Sequence, residues 1–105
     1  MAEDIPFRAR LLLSLQRALL GQVREELRAV CCAWSTGSIQ LRFIFDGPIE
    51  PDAAEDMRGV ATEVIADFGD GVMIEEEILR SDFPEDLHIH ALEAWAYWRK
   101  ESPAD

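Results

Sequence analysis

The chain has only two histidines, two cysteines and one tyrosine in 105 residues. Most nucleophilic and metal-assisted constellations therefore have too few members to form. Glycine-rich phosphate loops, a Gly-x-Ser-x-Gly elbow and a Walker pattern are all missing. No apolar run approaches the roughly 20 residues that span a bilayer. The longest near the start is Leu11-Leu12-Leu13, flanked by Arg8, Arg10 and Arg17. The opening Met1-Ala2-Glu3-Asp4 is acidic where a secretory leader is basic, so a cytoplasmic protein is expected. Positive charge is also scarce. Ten basic residues face 21 acidic ones, a net charge of −11. Binding to a phosphate backbone rests on Lys and Arg neutralising phosphates. No nucleic acid partner is expected, nor an anionic membrane.

Cys31 and Cys32 are adjacent and have no second pair with which to build a disulfide framework. Neighbours on a strand point to opposite faces, so a bridge between them would strain the backbone. Two reduced thiols packed as small apolar groups are expected. Surface scaling for 11.9 kDa leaves roughly 6,000 Å² exposed out of about 17,000 Å² in the unfolded chain. One core can form without metal or disulfide support. The expectation is a single domain over 1–105, with 1–4 and 101–105 as disordered tails.

What is present is acid, unevenly placed. Residues 1–45 carry a net +2, residues 46–93 a net −13, and the rest are neutral. Nearly all the excess lies in one central stretch.

Periodicity places the elements. Pro6 suits a helix start. Phe7 to Leu20 is rich in helix formers, with Leu12, Leu15, Leu19 and Leu20 near one face and Gly21 positioned as a C-cap. Leu11 and Leu13 widen its apolar face, so the helix is deeply buried or shared with a partner. Residues 28–35 and 38–46 read as strands joined at Thr36-Gly37, with Ile39, Leu41, Phe43 and Phe45 alternating on one side. A second helix starts at Glu50-Pro51-Asp52, with Ala54, Met57, Val60, Ala61, Val64, Ile65 and Phe68 as its apolar stripe. Residues 72–79 read as a strand. Glu75, Glu76 and Glu77 place it at an edge or leave one face bare. A polar loop over 81–89 leads to a last strand over 91–100, where a short helix is the rival. On a regular strand Trp95 and Tyr97 share a face and Trp98 takes the other. The fold class expected is α+β, with two helices packed on one face of a four-stranded antiparallel sheet, in the order α-β-β-α-β-β.

Chemistry is sparse. His88 and His90 would share a face if they lay on a strand, beside Asp82, Glu85 and Asp86. A zinc site wants three or four spaced ligands, and no third histidine exists. Nothing local makes either cysteine a thiolate. Glu75 and Glu77 share a strand face, but in so acidic a chain that is an ordinary solvated face rather than a glycosidase pair. No catalytic residue, metal or cofactor is expected. Trp, Tyr and Arg are enriched in binding hot spots, and Trp95, Tyr97 and Trp98 stand next to Arg99 and Lys100.

Val60–Phe68, Glu75–Arg80 and Trp95–Lys100 resemble segments of a group of small bacterial proteins, mostly of uncharacterised function. Some of these are regarded as immunity proteins of contact-dependent inhibition or colicin-type systems. The resemblance covers about residues 18–100. It carries no catalytic signature, and this chain departs from it in the paired cysteines and in His88-Ile-His90. It implies a toxin as partner.

The function expected is a non-enzymatic acidic module that binds a basic toxin domain. Glu75, Glu76, Glu77, Asp82, Glu85 and Asp86 would form an electrostatic rim, with Trp95 or Trp98 as anchor. The alternative is a homodimer through the first helix, its acidity serving solubility alone. A metal-dependent enzyme is a distant third.

Overall fold

The structure is a computed structural model, and it describes residues 6–102. The tails expected at 1–4 and over most of 101–105 lie outside those residues, but Glu101 does not. Helix α1 spans Phe7–Leu19 and begins after Pro6, whose extended backbone (φ −54°, ψ 145°) makes the turn into the helix. It ends at Leu20 and Gly21, with Gly21 at φ +78°, a conformation that costs glycine least. Strands β1 (Leu27–Ser35) and β2 (Ser38–Phe45) form the expected antiparallel hairpin. Helix α2 spans Pro51–Ala66, with Pro51 at its first turn and Asp52 favourably placed against the helix dipole. Strand β3 (Met73–Arg80), a single-turn 3-10 helix (Leu87–His90) and strand β4 (Ala94–Trp98) complete the chain.

Both helices cover one face of the sheet. Leu11, Leu15, Ala18 and Leu19 of α1 and Ala53, Met57, Val60, Ala61 and Val64 of α2 are buried against Leu27, Val30, Cys32, Ile39, Leu41, Phe43 and Phe45. The face of α1 differs from the expected one by one position. Leu11 is fully buried, while Leu13 and Leu20 are 59% and 74% exposed. The helices are also clamped by charge. Ser14 Oγ donates to Asp67 Oδ2 at 2.6 Å and Arg17 Nη2 donates to the same oxygen at 2.7 Å.

The sheet is not purely antiparallel. Its order is β3-β2-β1-β4, and β3 runs parallel to β2. A helix lies between these two strands in sequence. A strand, a helix crossover and a strand in one sheet form a βαβ unit, which makes neighbouring strands parallel. The expected second hairpin therefore does not exist, because β3 and β4 lie at opposite edges of the sheet. Residues 81–93 carry the chain between those edges across the outer face, the one that the helices leave open. Leu87 packs there on Ala29 and Ile44. The His90 carbonyl accepts from Arg42 Nη1 at 2.7 Å.

Candidate partner-binding face

Two bulges shape the outer face. The first makes Arg28 an extra residue in β1, between Leu27 opposite Phe45 and Ala29 opposite Ile44. A bulge re-aims the side chain it carries. Arg28 is only 2% exposed, yet its buried polar atoms all find partners, and its guanidinium lies over the Phe83 ring at 5.7 Å. Its Nε and Nη2 donate to the two carboxylate oxygens of Glu101 at 2.7 and 2.9 Å. Nη1 donates to the Ser81 carbonyl at 2.8 Å, and Nη2 also to the Glu85 carbonyl at 3.0 Å. One buried guanidinium thus pins the start of the crossing loop and the segment after β4. The Arg28 guanidinium, helped by Arg99, holds the Glu101 carboxyl below its usual range. By its polar local sequence Glu101 belongs to a tail. Its partner lies 73 positions away, and no local pattern announces it.

The second bulge decides where the aromatics point. Val30 stands opposite Tyr97, but Cys31 stands opposite Trp95, so Ala96 is the extra residue in β4. Its carbonyl accepts from Gln16 Nε2 on α1 at 2.8 Å. The bulge corrects the expected alternation. Tyr97 turns to the helix side, and Trp95 and Trp98 come together on the outer face. Their rings lie tilted at 35° with centroids 4.7 Å apart, and the His88 ring meets Trp98 edge-on at 5.2 Å. Asp86 holds His88. Its Oδ1 accepts from the His88 backbone N–H at 2.9 Å and lies 2.9 Å from the ring Nδ1. These contacts lower the Asp86 carboxyl below its usual range, the backbone bond contributing most.

The eight expected partner-binding residues therefore fall into four groups. Trp95, Trp98 and Asp86 gather at the β4 edge with His88, which is not one of the eight. Glu75 and Glu77 share the same outer face at the β3 edge. Glu77 closes a row across the sheet, Trp95–Cys31–Arg42–Glu77, in which Arg42 Nε donates to Glu77 Oε1 at 2.8 Å. Three interstrand spacings of about 4.8 Å separate the two ends of that row, roughly 14 Å. Glu76 is exposed on the helix side of the same strand. Asp82 and Glu85 are engaged inside the loop. Asp82 pairs with Arg80 at 3.0 Å and accepts from the Gly47 N–H at 2.7 Å, contacts that lower its carboxyl. Glu85 accepts from Ser81 Oγ at 2.6 Å.

The groups considered for catalysis are dispersed. Cys31 and Cys32 are both free and buried, on opposite sides of the sheet. Burial raises the Cys31 thiol and pushes Cys32 up to about 12, the reverse of a poised thiolate. His88 and His90 lie on a 3-10 turn rather than a strand, so two positions apart they point different ways. Among the described residues no three His, Cys, Asp or Glu side chains gather as metal ligands. No described helix is long and apolar enough to cross a membrane.

What remains is a face with an aromatic cluster at one edge and carboxylates at the other, a surface suited to holding a protein. A family model, that of the MafI2 immunity protein, matches residues 8–101. The chain belongs to the MafI2 immunity protein family. The matched span runs from the first turn of α1 to Glu101, so it takes in both helices, the whole sheet and the crossing loop. As a MafI2-family immunity protein, the chain has a toxin as its implied partner. The resemblance read from three segments pointed to immunity proteins, and the family match agrees with it. No curated protein matches the chain.

Proposed function

We propose that the protein neutralises its toxin by binding, without chemistry of its own, and that it applies the outer face of the sheet to a basic patch on the toxin domain. The observation that carries this reading is the Trp95–Trp98–His88 cluster, with Trp98 and His88 exposed and Trp95 half-buried, on the face that also presents Glu75 and Glu77. Paired tryptophans bring large rigid contact area at little entropic cost, and such residues dominate binding hot spots. Among the described residues, Glu75 and Glu76 have no Lys or Arg within ion-pair distance, so their charge is open to a partner. Opposite potentials would speed encounter and make it salt-sensitive. Binding is proposed to occur in the cytoplasm.

Glu75→Lys tests this. Glu75 is exposed, and among the described residues its side chain makes no hydrogen bond or ion pair that its loss would break. Association with the toxin domain should slow by roughly tenfold at low salt, with the difference shrinking as salt rises. Wild-type association at every salt concentration would sink the proposal. The exposed Leu13 of α1, Leu20 just past its end and nearby Val23 (43% exposed) favour a second reading, self-association through the first helix. A sedimenting dimer that ignores the toxin domain, and is broken by Leu13→Glu, would favour it.

A further inference from the structure

The free edge of β3 offers a second kind of contact, one made by backbone. Met73 N–H donates to the Gly37 carbonyl at 2.9 Å and Ser81 N–H to the Phe45 carbonyl at 2.8 Å. In a parallel ladder every second residue directs both its N–H and C=O to the same neighbour. Residues 73, 75, 77, 79 and 81 therefore face β2. The N–H and C=O groups of Ile74, Glu76 and Ile78 face away from it, and β3 is the last strand of the sheet. No described strand lies beyond it.

Side chains decide what can pair there. The side chains of Ile74 and Ile78 pack against the helix-side core, which holds the strand flat and extended. Glu75, Glu76 and Glu77 stand in the middle of the edge, all exposed. An edge strand is an open template for pairing, and charge is a common guard against it. A second copy of this chain would bring the same three carboxylates and be repelled. A strand carrying Lys or Arg at alternate positions would find both the backbone row and the opposite charge.

The geometry points to β-strand addition: an extended, basic segment of the toxin domain pairs along β3 and becomes the fifth strand of the sheet. This inference rests on the toxin-binding reading above and specifies its mode. It assigns Glu76, which lies off the outer face, a role that the aromatic face does not explain.

Amide hydrogen exchange on the free protein and on its complex with the toxin domain tests it. In the free protein the amides of Ile74, Glu76 and Ile78 should exchange fast, while those of Glu75 and Glu77 are already slowed by the ladder. In the complex all three should become protected. A companion variant, Glu76→Pro, removes an outward donor and no bond to β2, a position where an edge strand tolerates proline. It should weaken toxin binding roughly tenfold beyond Glu76→Ala, which removes the charge alone. If Glu76→Pro does not fold, exchange on the wild-type complex decides. A complex that forms, and protects residues around Trp98, while Ile74, Glu76 and Ile78 exchange as in the free protein, overturns strand addition and leaves the outer-face reading standing. Absence of any complex overturns both.

Discussion

Replacing Arg28 by methionine keeps most of the side-chain volume and removes every donor. Four hydrogen bonds disappear: two to the Glu101 carboxylate, one to the Ser81 carbonyl and one to the Glu85 carbonyl. Removing one member of a buried ion pair costs about 3–5 kcal/mol, because the other charge is left behind. Glu101 is 13% exposed and keeps Arg99 at 2.9 Å, so its own penalty is reduced. The two carbonyls lie on a loop, where water can replace part of what is lost. The net expectation is a loss of about 3 kcal/mol, against a total of about 5–15 kcal/mol for a domain of this kind. The protein should still fold, with a midpoint lower by roughly 10–20 °C. Urea unfolding followed by tryptophan fluorescence measures it, since Trp95 and Trp98 report on the same region. The loop released by the substitution also carries His88 and Asp86, so toxin affinity should fall as well. A stability loss below about 1 kcal/mol, or toxin binding unchanged in a measurably destabilised variant, would refute the view that Arg28 organises the outer face.

Trp98 is 43% exposed, so Trp98→Ala should cost about 1 kcal/mol of stability or less while weakening toxin binding tenfold or more; calorimetric titration separates the two effects. The Glu101, Asp82 and Asp86 carboxyls are all held below their usual values of 4.5, 3.8 and 3.8. The folded state therefore binds fewer protons than the unfolded one. The stability they contribute is complete above the ordinary carboxyl range and disappears as pH falls through the lowered values. Glu101→Gln should be less stable than wild type near neutral pH and should flatten the acid limb of the stability curve below about pH 4.5; an unchanged limb in pH-dependent urea titrations would contradict the Arg28–Glu101 assignment. Both thiols are buried and raised, so Ellman's reagent should label Cys31 and Cys32 only as fast as the protein unfolds. Rapid labelling of either in the native state would mean that the sheet opens locally.

Helix and hairpin positions were legible because each depends on neighbours in sequence. The stripe from Met57 to Val64 and the alternation from Ile39 to Phe45 report directly on a face buried by α1, β1 and α2. The pairing of β3 was not read correctly. The three glutamates pointed to an exposed strand, which β3 is. Its neighbour, however, is set by the helix inserted after β2, and a crossover yields a parallel pair. The facing of Trp98 was misread for a different reason. Alternation assumes that every residue advances the strand by one step, and Ala96 does not. The rim of acids was read from composition, and composition cannot tell a carboxylate that meets solvent from one such as Asp82, which meets Arg80 and Gly47.

The same distinction changes the meaning of the charge asymmetry. Four arginines of the slightly basic first segment reach into the acidic remainder: Arg17 to Asp67, Arg24 to Asp52 and Asp56, Arg28 to Glu101, and Arg42 to Glu77. Part of the asymmetry along the chain is therefore internal complementarity, which joins α1, the sheet and α2. Pairing does not remove the net charge, so the long-range field that would steer the proposed basic partner persists. It does decide which carboxylates can change partners at low cost. Breaking the Arg42–Glu77 pair would leave a half-buried guanidinium beside the His90 carbonyl, whereas Glu75 and Glu76 can each meet a Lys or Arg of the toxin without first giving one up. On the proposed reading, the surface for specific recognition is smaller than the acidic stretch: it is the part of the sheet where exposed Glu75 and Glu76, the free edge of β3 and the paired tryptophans meet.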